Sequence, residues 1–134
     1  MASPAKNKRI LLIDRQDYWR ALSAEALTRA GFIVDTVDNY AYPPPNGYSR
    51  GAEPHLVILG CASIGTQERM LISKILEYKH HLLVLSTSLP WKMMRSLFLA
   101  GADDVADKPY DPDQIVTVVE QALAGTTISP LVKP

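Results

Sequence analysis

The sequence predicts an α/β fold, a parallel sheet with helices packed on both faces. Two observations carry the prediction. Short apolar runs at residues 10–13, 56–59 and 82–85 are unbroken, as in strands buried on both sides, and β-branched 32–37 and brief 105–106 add two more. Stretches with helical spacing lie between most of them. Strand–helix alternation implies parallel strands joined by right-handed crossovers.

Taken in order, residues 1–8 are small, polar and interrupted by proline, and read as a flexible tail. The first strand ends in Asp14. Residues 17–30 read as a helix, with Asp17 as N-cap and Leu22, Ala26, Leu27 and Ala30 on one face, closed by Gly31. After the second strand comes "NYAYPPPNGYSRGAE", where a crossover helix is due. Each interior proline costs a helix about 3 kcal/mol, so at most one helical turn is expected, around 48–52. A proline-rich docking ligand is the less economical reading. The third strand stops at Gly60.

Residues 66–78 form the next helix, with Thr66 as a possible cap and Met70, Leu71, Ile75 and Leu76 as its apolar face. His80 and His81 follow in a turn and read as solvated. The fourth strand leads into Ser86, Thr87 and Ser88. Pro90 opens a helix that Gly101 ends. The fifth strand precedes Lys108 and Pro109, and Asp111 caps a final helix over 112–124. Residues 126–134 read as a tail or the start of a linker. The result is one domain over 9–125, a flavodoxin-like (βα)5 three-layer sandwich of strand order 2-1-3-4-5, its second crossover helix shortened or replaced by a proline-rich loop.

Composition excludes several classes. Lys plus Arg number 14 and Asp plus Glu 14, so no basic excess favours nucleic acid or a membrane surface. A single cysteine, Cys61, rules out an internal disulfide and suits a reducing, cytoplasmic setting. No apolar run approaches the ~18 residues of a membrane span.

The chemistry of such a sheet lies beyond the carboxyl ends of its strands. That edge receives Asp14 and Arg15, then Gly60, Thr87, Lys108 and Pro109. In this order and spacing, "RILLID…AEALTRAGFIVDTVDN…PHLVIL…VLSTS…LAGADDVADKPYDPDQI" resembles the receiver domain of two-component response regulators, over residues 9–124. The resemblance implies a strand-three aspartate that accepts a phosphoryl group, two acids after strand one that help bind magnesium, a hydroxyl after strand four, and a strand-five lysine. Phosphoryl transfer needs such a set: a carboxylate nucleophile, a hard cation with oxygen ligands, and donors for the phosphate oxygens.

The match is partial. Asp14, Thr87 and Lys108 keep their positions, and the resemblance implies a cis Lys108–Pro109 bond. Arg15 replaces the second acid, Gly60 the phosphoacceptor, and Val105 the switch aromatic. Cys61 and Ser63 lie nearby without a base in view. Asp14, Arg15 and Lys108 sum to +1 where a working receiver carries −2, a poor magnesium site. Asp14 is expected to serve as counter-ion to Lys108 or Arg15, with Arg15 filling the magnesium space.

The expectation is therefore a pseudo-receiver: no enzyme, no cofactor, magnesium binding weak or absent, and action through protein partners of a signalling pathway. The family's helix 4–strand 5–helix 5 face falls here on 90–100, 105–106 and 112–124. Trp91, Lys92 and Arg95 are its candidate contacts, for a partner or a homodimer, while Met94, Leu97 and Phe98 are assigned to the core. Rival readings are a receiver fold answering to an anion or small ligand at the altered site, a flavin-binding domain, and the regulatory part of a transcription factor. Against flavin, "IDRQDYW" has no glycine to cradle a phosphate.

Overall fold

The computed structural model describes residues 7–44, 47–48, 53–109 and 111–125. Five parallel strands, β1 (Arg9–Ile13), β2 (Ile33–Val37), β3 (Leu56–Cys61), β4 (Leu82–Ser86) and β5 (Asp104–Asp107), form one sheet of order β2-β1-β3-β4-β5. Helices α1 (Asp17–Arg29), α2 (Thr66–Glu77), α3 (Trp91–Ala100) and α4 (Ile115–Leu123) complete it, the last preceded by a 3-10 turn at Pro112–Gln114. The tails 1–6 and 126–134 lie outside the described residues.

The central strands are buried along their whole length, which explains why they lack polar alternation. Each leucine or isoleucine so buried contributes about 1.5–3 kcal/mol. Alternate residues serve two cores. Ile10, Leu12, Ile58 and Leu83 meet α1 and α4 through Leu27, Ile115 and Val119. Leu11, Ile13, Leu59 and Val84 meet α2 and α3 through Leu71, Ile72, Ile75 and Leu97. Gly101, at φ 115, gives α3 a left-handed end that a side chain would strain.

The crossover from β2 to β3 holds no helix among the described residues; residues 49–52, where one turn was expected, lie outside them. Aromatic side chains take the helix's place. Tyr42 is buried in the second core, and Tyr40 and Tyr48 pack against it. Tyr42 hydroxyl contacts His80 Nδ1, and its ring stands edge-on to Tyr78 at 5.7 Å. Burial holds the Tyr42 phenol above its ordinary pKa.

Several local expectations need correction. His80 is not solvated: its side chain is 9% exposed, with Nε2 3.5 Å from Glu53. His81 does face solvent, beside Asp103 at 3.3 Å. Met70 lies outside the apolar face of α2, 68% exposed, and Ile72 is buried instead. Gln16, not Asp17, is the N-cap of α1, because Asp14 already ties the Gln16 amide and the helix begins at Asp17. Gly65, not Thr66, caps α2, and Glu68 reaches back to its amide at 2.8 Å. Asp111 caps as expected, accepting from the Asp113 amide at 3.0 Å.

Candidate functional site at the strand ends

β1 and β3 run side by side, pairing Ile13 with Leu59, so Asp14 and Gly60 emerge as neighbours. β5 delivers Lys108 at the same edge through the Lys108 amide bond to Ser86 carbonyl, 2.9 Å. The structure thereby brings Asp14, Arg15, Gly60, Thr87 and Lys108 around one cavity of about 400 Å³.

Asp14 is buried. Its Oδ1 accepts from the Gln16 amide at 2.8 Å, and its Oδ2 forms an ion pair with Lys108 Nζ at 2.8 Å. Lys108, equally withdrawn from solvent, also donates to Gln16 Oε1 at 3.0 Å. Its ammonium lies 4.3 Å from the centre of the Trp19 ring, within cation–π range. Trp19 itself is 6% exposed, part of the core, with Nε1 3.5 Å from the Pro109 carbonyl. Arg20 fastens the turn from the helix side, donating to Asp14 carbonyl and to Asp17 at 2.7 Å each.

Gly60 sits inside this arrangement. A Cβ added there would fall 2.3 Å from Asp14 Oδ2 and 3.2 Å from Trp19 Cζ3. Contacts below 3.0 Å essentially never occur at real Cβ atoms. With Asp14 and Trp19 where they are, no side chain fits at position 60.

Arg15 does not pair with Asp14. Its guanidinium stacks on the Tyr40 ring at 3.8 Å and donates to Gln67 at 2.8 Å. The reason is competition: Lys108 and the Gln16 amide already occupy both oxygens of Asp14. Nor is Lys108–Pro109 cis; among the described residues the cis bond is Tyr42–Pro43, and Lys108–Pro109 keeps the ordinary trans preference.

Glu68, on α2, adds an acid that reading by strand ends had missed. It lines the cavity and accepts from Tyr40 hydroxyl at 2.9 Å as well as from Gly65. Burial works to raise its carboxyl, but the Gly65 and Tyr40 hydrogen bonds, its own amide and the Arg15 charge outweigh this and hold it below the usual range. Burial and the bond to Glu68 push the Tyr40 phenol up. Asp14 and Glu68 against Arg15 and Lys108 give the site a charge of zero. Cys61 is buried, and burial pushes its thiol up to about 11, so it stays protonated and unreactive at neutral pH. Ser63 and Thr87 are exposed at the rim.

Val105 is wholly buried in the second core. Trp91, Lys92 and Arg95 are exposed on α3, away from these residues' cavity, and Leu99 joins them at 77% exposure. Leu97 is buried as expected, with Met93, Met94 and Phe98 packed on the core.

No protein-family model matches the chain, and no curated protein does. Solved structures do. The beryllofluoride-activated receiver domain of DrrB is 20% identical, with a TM-score of 0.69 over 88% of this chain and 98% of that one. The chain spans 53% of a longer DrrB chain from Thermotoga maritima, an OmpR/PhoB homologue, at 20% identity and TM-score 0.67, with 88% of its own length covered. The phosphorylated cyanobacterial phytochrome response regulator RcpA is 22% identical, with a TM-score of 0.71 over 92% and 99% of the two chains. The fold is that of response-regulator receiver domains.

Proposed function

We propose that this chain is a receiver-fold signalling module of a two-component or phosphorelay type that works without accepting a phosphoryl group and acts through protein contacts. The observation that carries this reading is the crowding at Gly60, where even a Cβ would fall 2.3 Å from Asp14 Oδ2. A receiver's phosphoacceptor needs a side chain at that point, and here Asp14 and Trp19 hold the room.

Magnesium does not fit these residues. Its ligands would be hard oxygens, and the strand-end acid that lines this cavity, Asp14, has one oxygen paired with Lys108 and the other bonded to the Gln16 amide. Glu68 is likewise held by Gly65 and Tyr40. An anion is poorly served too, since Lys108 is already paired and Glu68 lines the same cavity.

Val105, buried in the core, stands where the family carries its switch aromatic, which supports an α3 surface held in one state. Trp91, Lys92 and Arg95 are its contact residues, of the types that dominate protein interfaces.

The test is an amide NMR titration with magnesium, then with magnesium and beryllofluoride. The amides of Gly60, Thr87 and Lys108 are expected to stay in place through both additions. Saturable shifts at these three would sink the proposal.

A further inference from the structure

A second recess lies beside α2, apart from the strand-end cavity. It measures about 360 Å³ and is lined by Arg15, Tyr40, Gln67, Met70, Leu71 and Lys74. We infer that it is a docking groove for an acidic amphipathic helix of a partner protein. The inference does not rest on the phosphorylation-independent reading.

The groove follows from the missing crossover. Helix α2 buries Leu71, Ile72 and Ile75 against the sheet. Its flank toward the β2–β3 connection would meet a helix in a regular strand–helix repeat, and the described part of that connection has none. Tyr40 and Tyr42 fill the core beneath, but Met70 is left 68% exposed. An unbranched, polarisable methionine beside an aromatic ring adapts its shape to an incoming apolar side chain. Grooves of this kind take amphipathic helices.

Charge fixes the chemistry of the occupant. Arg15 contacts Gln67 and the Tyr40 ring, and neither it nor Lys74 has a carboxylate within ion-pair distance among the described residues. No described acid lines the groove. Glu68 lies within the field of Arg15, but it is tied to Gly65 and Tyr40 and faces the neighbouring cavity. A guanidinium and an ammonium flanking an apolar floor select carboxylates flanking an apolar residue. The chain's own residues 126–134 carry Lys133 and no acid, so they do not supply that charge.

The probe is a fluorescein-labelled amphipathic peptide with glutamates flanking a leucine stripe; the control carries lysines in place of the glutamates. The glutamate peptide is expected to shift the amides of Gln67, Met70 and Lys74 saturably, and to bind less well as salt rises. Lys74→Glu is expected to weaken it about tenfold and Met70→Ala to weaken it as well, while Trp91→Ala leaves it unchanged. Both changed side chains are exposed, so the fold is not at stake. Equal binding of the lysine peptide, shifts confined to α3, or no saturable shift would overturn the inference. Binding to phosphatidylglycerol vesicles that Met70→Ser abolishes would also overturn it, assigning the groove to a lipid surface.

Discussion

The ends of β1, β3 and β5 and the outer face of α3 treat charge in opposite ways. At the strand ends Asp14 and Lys108 are buried against each other, and Trp19 closes over the ammonium. On α3, Lys92 and Arg95 face solvent with no acid on the helix, beside Trp91 at 58% and Leu99 at 77% exposure. The first region has its charges and contacts satisfied internally and offers little to an outside ligand. The second leaves apolar and cationic groups open to solvent. In this fold the strand ends ordinarily carry the chemistry; here, on the proposed reading, they carry stability and recognition passes to the helix surface.

The sharpest way to break that contrast is to remove one member of the buried pair. Lys108→Ala strands a buried carboxylate and is expected to cost about 3–5 kcal/mol in urea unfolding. Asp14→Asn combined with Lys108→Met should recover much of that loss, because no charge is then left alone. A Lys108→Ala loss under about 1 kcal/mol would mean that the strand ends are not the stabilised region. Next comes Gly60→Ala, where overpacking against Asp14 and Trp19 is expected to cost about 1–3 kcal/mol. A neutral Gly60→Ala would mean that room exists for a side chain.

Acid titration gives a smaller effect. Glu68 is held below its ordinary value, 4.5, so its contribution is complete above that pH. It is lost as pH falls through the depressed folded value, because the unfolded chain takes up the proton first. Glu68→Gln should therefore lower stability at neutral pH and flatten the profile below pH 4.5, the difference from the parent chain shrinking toward acid. An unchanged acid limb would show that Glu68 is not held by Tyr40 and Gly65. Smallest of all, Trp91→Ala should change stability by no more than about 0.5 kcal/mol. Its effect is expected in partner capture, and a large loss of stability would move Trp91 into the core and undo the contrast.

The strands were legible because burial on both faces writes an unbroken apolar run, and the sheet order followed from their alternation with helices. Asp14 and Gly60 were legible for the same reason, since each is the residue at which a run stops, and Thr87 and Lys108 lie one position beyond the residue at which theirs stops. Side chains that reach the site from elsewhere were not. Trp19 and Glu68 enter from helices and Tyr40 from a loop, and no strand end points to them. Arg15 was misplaced because sequence adjacency to Asp14 favours a pair, whereas Lys108, 94 positions away in the chain, reaches the carboxylate first. His80 was misread because a polar residue in a turn is usually wet; the ring of Tyr42, Tyr48 and Tyr78 around it is a tertiary fact.

The contact at Gly60 also bears on how this sequence can change with time. A single substitution at position 60 puts a new atom where Asp14 Oδ2 already stands, and within 3.2 Å of buried Trp19. Moving Asp14 aside would in turn strip Lys108 of its counter-ion. Glycine at position 60 is thus tied to its neighbours: a larger residue there calls for a shift of Asp14, and through it of Lys108.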